Sequence, residues 1–320
     1  MRILAFVARR LLLVALVMLV VSVLIFGIVQ LLPGDVAVMI LGTSATPQDL
    51  AALRVKLGLD RPAALRYADW ITGALRGEWG TSLLYQVPVR PLVLERLRQS
   101  ALLAVLALGI AVPLSIGLGV LSALRRHGLL DQVVGLVTLV SVSLPEFISG
   151  TVLILLLAFW LPIFPPSSLI DPRAGLAAIA PSLVLPALTL VLALLAHMTR
   201  MTRASMIEAL DQPFVRAARL RGLRPRTVIL RHALRNALLP TVGIVAINVG
   251  FLLGGIVVVE TVFAYPGLGR LLVFSIQQRD IPVLQAVILV VAAAFALANL
   301  AADLLYAWLN PKIRYGGSIA

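Results

Sequence analysis

Six long runs of apolar residues restrict the folds that this chain can adopt. Each run reaches or exceeds the roughly 20 residues with which an α-helix crosses the hydrocarbon core of a bilayer. The predicted spans are Leu11–Leu32, Ala101–Leu124, Val133–Leu161, Leu176–Ala196, Ala237–Val259 and Val283–Leu309. We therefore expect an all-α integral membrane protein with six transmembrane helices.

Composition supports this class and excludes several others. The chain is 61% hydrophobic and 13% charged, whereas soluble proteins average about 45–50% apolar and about 25% charged residues. Its net charge of +13 lies in the loops between apolar runs, so we exclude nucleic acid as a partner. The absence of cysteine excludes disulfides, thiolate metal sites and cysteine nucleophiles.

The distribution of basic residues predicts the orientation. Short loops on the cytoplasmic side are enriched in Lys and Arg. With the N-terminus inside, 16 basic residues fall in cytoplasmic segments and 3 in short outside loops. The long loop 33–98 is left out of this comparison because loops of about 60 residues or more escape the rule. Both termini are therefore predicted to be cytoplasmic.

The long outside loop carries signals for three helices. Thr46 before Pro47 is typical of a capped helix start, and Gly58 suits its end. A second helix is predicted from Asp60-Arg61-Pro62 to a stop near Gly77, and a third begins at Pro91 and runs into the second span. Two interpretations stay open: a docking surface for a partner outside the membrane, or a lid over the helix bundle.

A basic segment of residues 198–236, called the coupling segment below, separates the fourth and fifth spans. Together with the residues up to Pro240 it carries nine arginines against two acids. Pro213 to Arg221 is predicted to form a short helix, which Gly222 ends at positive φ and after which Pro225 opens the next helix. Small residues at 217 and 218 would admit the backbone of a partner. A solvated basic loop placed by orientation alone is the alternative.

The coupling segment resembles that of the permease subunits of ATP-binding-cassette importers, in the branch that handles dipeptides, oligopeptides and nickel. The chain reads Phe214-Val215-Arg216-Ala217-Ala218-Arg219-Leu220-Arg221-Gly222, then Arg231-His232-Ala233-Leu234-Arg235-Asn236-Ala237. Ala217, Ala218 and Gly222 match the general motif of the superfamily. Arg216 replaces its Glu, a departure that points to the peptide branch.

A second stretch extends the resemblance over nearly the whole chain. Residues 260–270 read Glu260-Thr261-Val262-Phe263-Ala264-Tyr265-Pro266-Gly267-Leu268-Gly269-Arg270, and Arg279-Asp280-Ile281-Pro282 follow. They look like the family's outside loop before the last span. Pro33-Gly34-Asp35 and Leu57-Gly58-Leu59-Asp60 are similar to the family as well.

The resemblance implies a type I importer permease in the bacterial inner membrane. Its parts would be residues 1–32 with the first span, a periplasmic helical insertion at 33–98, a five-helix core at 99–310 and a cytoplasmic tail at 311–320. The implied partners are a second similar permease, one or two cytoplasmic ATPases, a periplasmic or lipid-anchored substrate-binding protein and membrane lipid. The helix near 214–222, with Arg231 and His232, would contact an ATPase, and the permease would alternate between outside-open and inside-open states.

The residues themselves indicate that the chain is not an enzyme. A phosphate-binding loop needs Gly-Lys-Ser/Thr, and neither Lys56 nor Lys312 has that setting. A zinc helix of the His-Glu-x-x-His type is missing too. We expect no cofactor on this chain and no metal site, with ATP and Mg²⁺ bound by the partner ATPases.

Polar residues inside spans are candidates for the translocation path, because they are expensive in lipid. Glu146 follows Pro145 near the middle of the third run, where the proline opens the helix backbone locally. Its carboxylate would meet the amino terminus of a peptide or a metal cation; pairing with a neighbouring helix is the alternative. Asn248 and Asn299 are further candidates, with interhelical hydrogen bonds as their alternative role. For His197, at the inner end of the fourth predicted span, we expect a structural hydrogen bond.

Two other classes of function remain open at this stage. A proton-coupled secondary transporter would work without an ATPase, and a membrane scaffold or receptor would need no substrate path. Dipeptides, longer peptides, glutathione and nickel complexes all remain open as substrates.

Overall fold

A computed structural model describes residues 2–31, 45–56, 60–169 and 175–309, and these residues form helices joined by short connections. No strand occurs in them beyond a single bridge between Thr81 and Pro88. The helices are α1 Arg2–Leu31, α2 Pro47–Lys56, α3 Ala63–Arg76, α4 Val89–Leu124, α5 Leu129–Ser143, α6 Glu146–Ile154, α7 Leu176–Asp211, α8 Pro213–Leu220, α9 Pro225–Thr227, α10 Leu234–Val262, α11 Leu268–Gln277 and α12 Ile281–Leu309. The predicted all-α fold is confirmed.

Two π-helical turns interrupt this pattern. Leu155–Trp160 continues α6, and Val228–Ala233 joins α9 to α10. A π turn bonds i to i+5 and often marks a functional site in a helix. The second of these turns lies within the coupling segment.

The chain divides into two compact units. The first comprises Met1–Val7, Arg98–Arg270 and Leu297–Ala320. Its core is one apolar cluster contributed by α4, α6, α7 and α10, with the connection after α10; its fully buried members include Leu103, Leu185, Leu190, Val259 and Phe263. Because lipid tails are as apolar as these side chains, close van der Waals packing within this cluster holds the four helices together.

The second unit comprises Ala8–Leu97 and Leu271–Ala296. An aromatic cluster fixes α3 on α1: the ring centroid of Phe26 lies 5.4 Å from that of Tyr67 and 5.8 Å from that of Trp70. The Ser22 and Tyr67 hydroxyls are hydrogen-bonded at 2.8 Å. Ile25 and Val29 continue the cluster toward α12.

The long helices agree with most of the predicted spans. Four helical stretches are long and apolar enough to cross a membrane: Val7–Leu31, Val89–Leu124, Ala177–Asp211 and Ile281–Ala301. The fifth predicted span lies in α10, whose apolar part Asn248–Val262 is shorter than a crossing by the same measure. Among the described residues the number of spans is thus four, or five if the bent pair α5 and α6 is one span, against six predicted.

The third predicted span is not one continuous helix. The chain bends by 109° between α5 and α6, because Leu144 and Pro145 take extended conformations with ψ of 124° and 148°. The residue before a proline is driven out of the helical region. The local opening expected at Pro145 is therefore a complete break of the helix.

The predicted insertion contains the expected three helices. The Thr46 hydroxyl accepts a hydrogen bond from the Asp49 amide at 3.2 Å and so caps α2. Gly77 ends α3 with φ of 86°. The third helix, α4, starts two residues earlier than predicted, at Val89, and continues into the second span. The motifs at 33–35 and 57–59 lie outside the described residues.

Candidate coupling and transport sites

The coupling segment folds as a helix, a tight turn and a second helix. Pro213 occupies the first turn of α8. Gly222 ends the helix with φ of 74°, and its amide donates to the Arg219 carbonyl at 3.0 Å. Pro225 then opens α9. The predicted local structure is confirmed, including the glycine that adopts a backbone conformation few other residues tolerate.

The two faces of α8 differ sharply in burial. Val215 and Ala218 are buried, in a cluster that also contains Met206 and Ala209 of α7 and Ala237 of α10. The opposite face is exposed and comprises Phe214, Arg216, Ala217, Arg219 and Leu220. Leu220 is 90% exposed, which is unusual for a large apolar side chain at the end of a well-packed helix. This face is a surface that a partner can cover without disturbing the cluster beneath it.

The second part of the predicted ATPase contact lies on the π turn Val228–Ala233. Arg231 is exposed and His232 half-buried, while Val228 and Ala233 face the buried cluster. The Asn236 amide donates to the His232 carbonyl at 2.9 Å. The structure thus gives this turn the same division into a packed and an exposed side that it gives α8.

An ion pair that the sequence reasoning missed fixes α7 just before the coupling helix. Arg203 binds Asp131, at the start of α5, through two hydrogen bonds of 2.6 and 2.7 Å. The same carboxylate accepts the His127 amide at 3.0 Å. Bidentate pairs of this kind are among the stronger polar contacts. Asp131 is nearly buried, so this pair links the two helices with a defined geometry.

Two of the three predicted path residues line one cavity. It measures about 320 Å³ and lies where the α5–α6 break faces α7 and α10. Glu146 enters it from the first turn of α6, and Asn248 lines it from α10. Gly255 makes room for the acid: a Cβ there would be 2.8 Å from the Glu146 Oε1 atom. We call this space the break cavity.

Asn299, the third predicted path residue, and His197 differ in their relation to the break cavity. Asn299, half-buried on α12, is not among the described residues that line the break cavity. His197 of α7 lines it instead and is exposed there. The sequence analysis assigned His197 a structural hydrogen bond, and its place at the inner end of a predicted span was the only sequence signal for another role. Within the described lining, Glu146 supplies the carboxylate and His197 the ring nitrogen donors or acceptors.

The loop of residues 260–270 is built around a buried carboxylate. Glu260, at 0% exposure, accepts hydrogen bonds from the Ser100 hydroxyl and from the Arg270 amide at 3.0 Å. Ser100 in turn accepts the Leu268 amide at 2.7 Å. Both amides belong to the first turn of α11, which otherwise leaves its donors unpaired. Glu260 and Ser100 therefore cap α11 from inside the protein.

The glycines of this loop are required by close approach. A Cβ on Gly267 would overlap the Glu260 carboxylate, and one on Gly269 would lie 2.6 Å from the Val257 Cα atom. Tyr265 is buried, and its hydroxyl donates to the Gln99 carbonyl at 2.8 Å. Burial and the Glu260 charge raise the pKa of Tyr265 above its usual range, which keeps the phenol protonated as a donor. Pro266 is half-buried in the same turn.

Arg279 and Asp280 perform a similar task at α12. Asp280 is buried and accepts the Ser82 hydroxyl at 2.5 Å and the Leu83 and Leu84 amides at 3.3 Å each. Arg279 precedes it with φ of 54°, a left-handed conformation that turns the chain from α11 into α12. The motif therefore anchors the 82–84 turn to the start of α12.

Comparison with known proteins agrees with this geometry. Residues 115–315 match the family of the binding-protein-dependent transport system inner membrane component. Residues 3–86 match the N-terminal part of binding-protein-dependent transport system membrane components.

Relatives match over nearly their full length. The chain is 36% identical over 313 residues to the probable peptide ABC transporter permease protein y4tP of Sinorhizobium fredii. The aligned region covers 97% of this chain and 99% of the relative. The chain is 38% identical over 313 residues, with the same coverage, to the glutathione transport system permease protein GsiC of Salmonella typhi. A putative peptide transport system permease protein of Brucella abortus is 37% identical over 299 residues, 93% of this chain and 95% of the relative.

These matches confirm the resemblance drawn from the coupling segment and the 260–270 loop, and they favour an ATP-driven importer over a secondary transporter or a scaffold. ATP hydrolysis in such systems belongs to partner subunits. The chain belongs to the family of inner membrane components of binding-protein-dependent transport systems, as a multi-pass permease.

Proposed function

We propose that this chain is one of two similar permeases in a peptide importer, with both termini in the cytoplasm. One or two ATPases bind its coupling segment and hold the ATP and Mg²⁺, and this chain binds no cofactor. A periplasmic or lipid-anchored protein delivers the substrate. Peptides, including glutathione, are the proposed substrate class, in line with the names of the relatives. A nickel complex is the alternative.

The observation that carries this proposal is the exposed face of α8 on a buried base. A partner that pushes on Phe214, Arg216 or Arg219 acts on a helix whose other face is packed against α7 and α10. The two guanidinium groups lie three residues apart and favour an acidic groove on the partner. Force applied to this face is therefore transmitted to two long helices, which is what coupling to an ATPase requires.

The whole of α10 is long enough to separate the coupling segment from the 260–270 loop across a bilayer, although its apolar part Asn248–Val262 alone is shorter than a crossing. It has 29 residues, which corresponds to about 44 Å of helix at 1.5 Å per residue, against about 30 Å of hydrocarbon. The coupling segment precedes this helix and the 260–270 loop follows it. The proposed orientation, which rests on the excess of arginine in the coupling segment, puts the two motifs on opposite sides of the membrane, with the arginine-rich one inside.

Gly222→Val tests the coupling assignment. A β-branched residue is strained at φ of 74°, although the space around the glycine is open, so the end of α8 must reorganise. We expect weaker co-purification of the ATPases and loss of peptide-dependent ATP hydrolysis in the reconstituted importer. Gly175→Val is the matched control, because Gly175 has an extended backbone and open surroundings. Unchanged ATPase binding in Gly222→Val would exclude α8 as the contact.

We further propose that the break cavity lies on the translocation path and receives the positively charged end of the substrate. A half-buried carboxylate that shares a cavity with a histidine and an asparagine suits an α-amino group, which offers three donors. Glu146→Gln keeps the shape and removes the charge. Since a hydrogen bond to a charged group is worth about 1.5–3 kcal/mol, uptake of a free peptide should fall about tenfold or more.

A comparison of substrates separates this proposal from a loss of folding. N-acetylated peptide should enter wild type and Glu146→Gln at the same rate, because it carries no amino-terminal charge. Glu78→Gln, which removes an exposed carboxylate outside both the coupling segment and the break cavity, is the matched control and should preserve uptake of both peptides. Equal loss of both peptides in Glu146→Gln would contradict amino-group recognition while leaving the coupling assignment intact.

A further inference from the structure

An apolar groove of about 460 Å³ lies within the second unit, bounded by α1, α3 and α12. Each of the three helices contributes one face to the groove. The lining includes Ala15, Met18 and Ser22 from α1, Ala74 from α3, and Ala286 and Ala293 from α12. Their spacings of three, four and seven residues place each set on a single face. Small residues on all three helices create this space.

Two polar side chains that line the groove, Ser22 and Trp79, already have hydrogen-bond partners within the protein. The hydroxyl of Ser22 donates to the Leu19 carbonyl at 2.7 Å and also pairs with Tyr67. The indole of Trp79 donates to the Ala74 carbonyl at 3.1 Å. A peptide in this groove would bury backbone groups without partners, at a cost of about 1–3 kcal/mol each. The chemistry selects a hydrocarbon chain.

The surroundings of the groove place it at the edge of a bilayer. Two of its walls belong to the membrane-spanning stretches Val7–Leu31 and Ile281–Ala301. The third wall, α3, is amphipathic: Trp70 faces the groove, whereas the Arg61–Asp69 ion pair is exposed to solvent. Tryptophan at such a boundary is typical of the membrane–water interface.

A cationic group stands near one end of the groove. The groove-lining residues Leu75 and Trp79 flank Gly77 in sequence, and the Arg90 guanidinium lies against that glycine. A Cβ on Gly77 would be 2.9 Å from the Arg90 Nη1 atom. An apolar groove with an arginine at its end matches both parts of a phospholipid, the acyl chain and the phosphate.

We propose that this groove binds one phospholipid, with an acyl chain between α1, α3 and α12 and its phosphate beside Arg90. The lipid fills the space left by the small residues and completes the packing of α3 on the two spans. It acts there as a structural component of the permease and not as transported substrate.

Native mass spectrometry of the full importer, extracted in mild detergent with added phosphatidylglycerol, tests this site. Ala74→Phe places a ring in the groove and should abolish retention of the lipid on this subunit. Ala68→Phe, on the exposed side of the same helix, is the matched control and should retain it. Arg90→Gln should lower retention of phosphatidylglycerol about fivefold, the ratio expected for one basic residue near an anionic lipid.

A photoreactive probe gives a second measurement that needs no variant of the groove. Phosphatidylglycerol with a diazirine near the end of one acyl chain is incorporated with the wild-type importer into nanodiscs and illuminated. Adducts should concentrate on peptides of α3 and of α12 around 286–293. Adducts spread evenly over all lipid-facing helices, or equal lipid retention in Ala74→Phe and wild type, would overturn the proposal. A single cysteine at Ala293 that cross-links to the other permease would show a protein occupant instead.

Discussion

Replacing Gly267 with alanine should destabilise the first unit strongly, through one contact. The added Cβ would overlap the Glu260 carboxylate, which is fully buried. The carboxylate must then leave its place and give up its hydrogen bonds from Ser100 and Arg270. At about 1.5–3 kcal/mol for each bond to a charged group, the loss is about 3–6 kcal/mol.

Thermal unfolding of the purified permease in detergent measures this effect, with Gly254→Ala as the control. Gly254 lies in α10 with nothing within 4 Å of an added Cβ, so alanine there should be neutral or stabilise the helix by up to about 1 kcal/mol. The geometry thus predicts that Gly267→Ala lowers the stability of the permease, whereas Gly254→Ala leaves it unchanged or raises it.

A double-mutant cycle identifies the cause of the loss. If the clash with the carboxylate is responsible, Glu260→Ala removes the obstacle, and adding Gly267→Ala should then cost almost nothing further. The coupling between the two changes should be close to the whole effect of Gly267→Ala. Additive effects of the two substitutions, or an unchanged melting temperature in Gly267→Ala, would refute the assignment of this glycine to carboxylate packing.

Two further ties give separate predictions. Asp131→Asn should lower the stability of the first unit by about 1–3 kcal/mol, because Arg203 loses its bidentate partner. Adding Arg203→Gln to Asp131→Asn should leave the melting temperature unchanged, since the ion pair is already broken. Asp280→Ala should leave the Ser82 hydroxyl and two amides unpaired, so hydrogen exchange at the amides of 83 and 84 should accelerate; protection equal to wild type would contradict the anchoring role of this acid.

Local signals in the sequence identified the elements of the coupling segment well. Pro213, Gly222 and Pro225 each impose a backbone conformation on their own position, independently of distant residues. The start of α8, its end and the start of α9 could therefore be predicted before the structure. The same holds for Thr46 and Gly77 in the insertion, which act within one turn of helix.

Contacts between distant residues could not be predicted in this way. Glu260 meets Ser100, 160 residues away, and Asp280 meets Ser82, 198 residues away. Neither serine carries a sequence signal, because a hydroxyl in an apolar neighbourhood is equally typical of a bond to its own helix. The resemblance singled out the acids of both motifs, but only the tertiary structure shows that they act as caps for α11 and α12.

The break at Pro145 shows the same limit at the candidate transport site. A proline within an apolar run predicts a disturbed helix, but the 109° angle between α5 and α6 depends on how each half packs against α7. That angle brings Glu146 into a cavity with Asn248 and His197. The acid predicted for the path therefore lies in this cavity, and the placement of His197 in the same cavity depends on the packing of α7.

The architecture of the first unit connects the coupling helix to the break cavity through two shared helices. Met206 of α7 and Ala237 of α10 pack against α8, and the same helices present His197 and Asn248 to the cavity. Along each helix the separation is about 14–17 Å at 1.5 Å per residue, short enough for a helix to move as a rigid body.

The third wall of the cavity is built differently. The α5–α6 break interrupts the hydrogen-bond ladder, so Glu146 is not carried rigidly by α5, whose start is tied to α7 through Asp131 and Arg203. A displacement of α8 should therefore move the α7 and α10 walls of the cavity together, and with them α6, which packs in the same apolar cluster. If the break cavity is the substrate site, as proposed, the break between α5 and α6 is the point where motion at the coupling segment would change its shape.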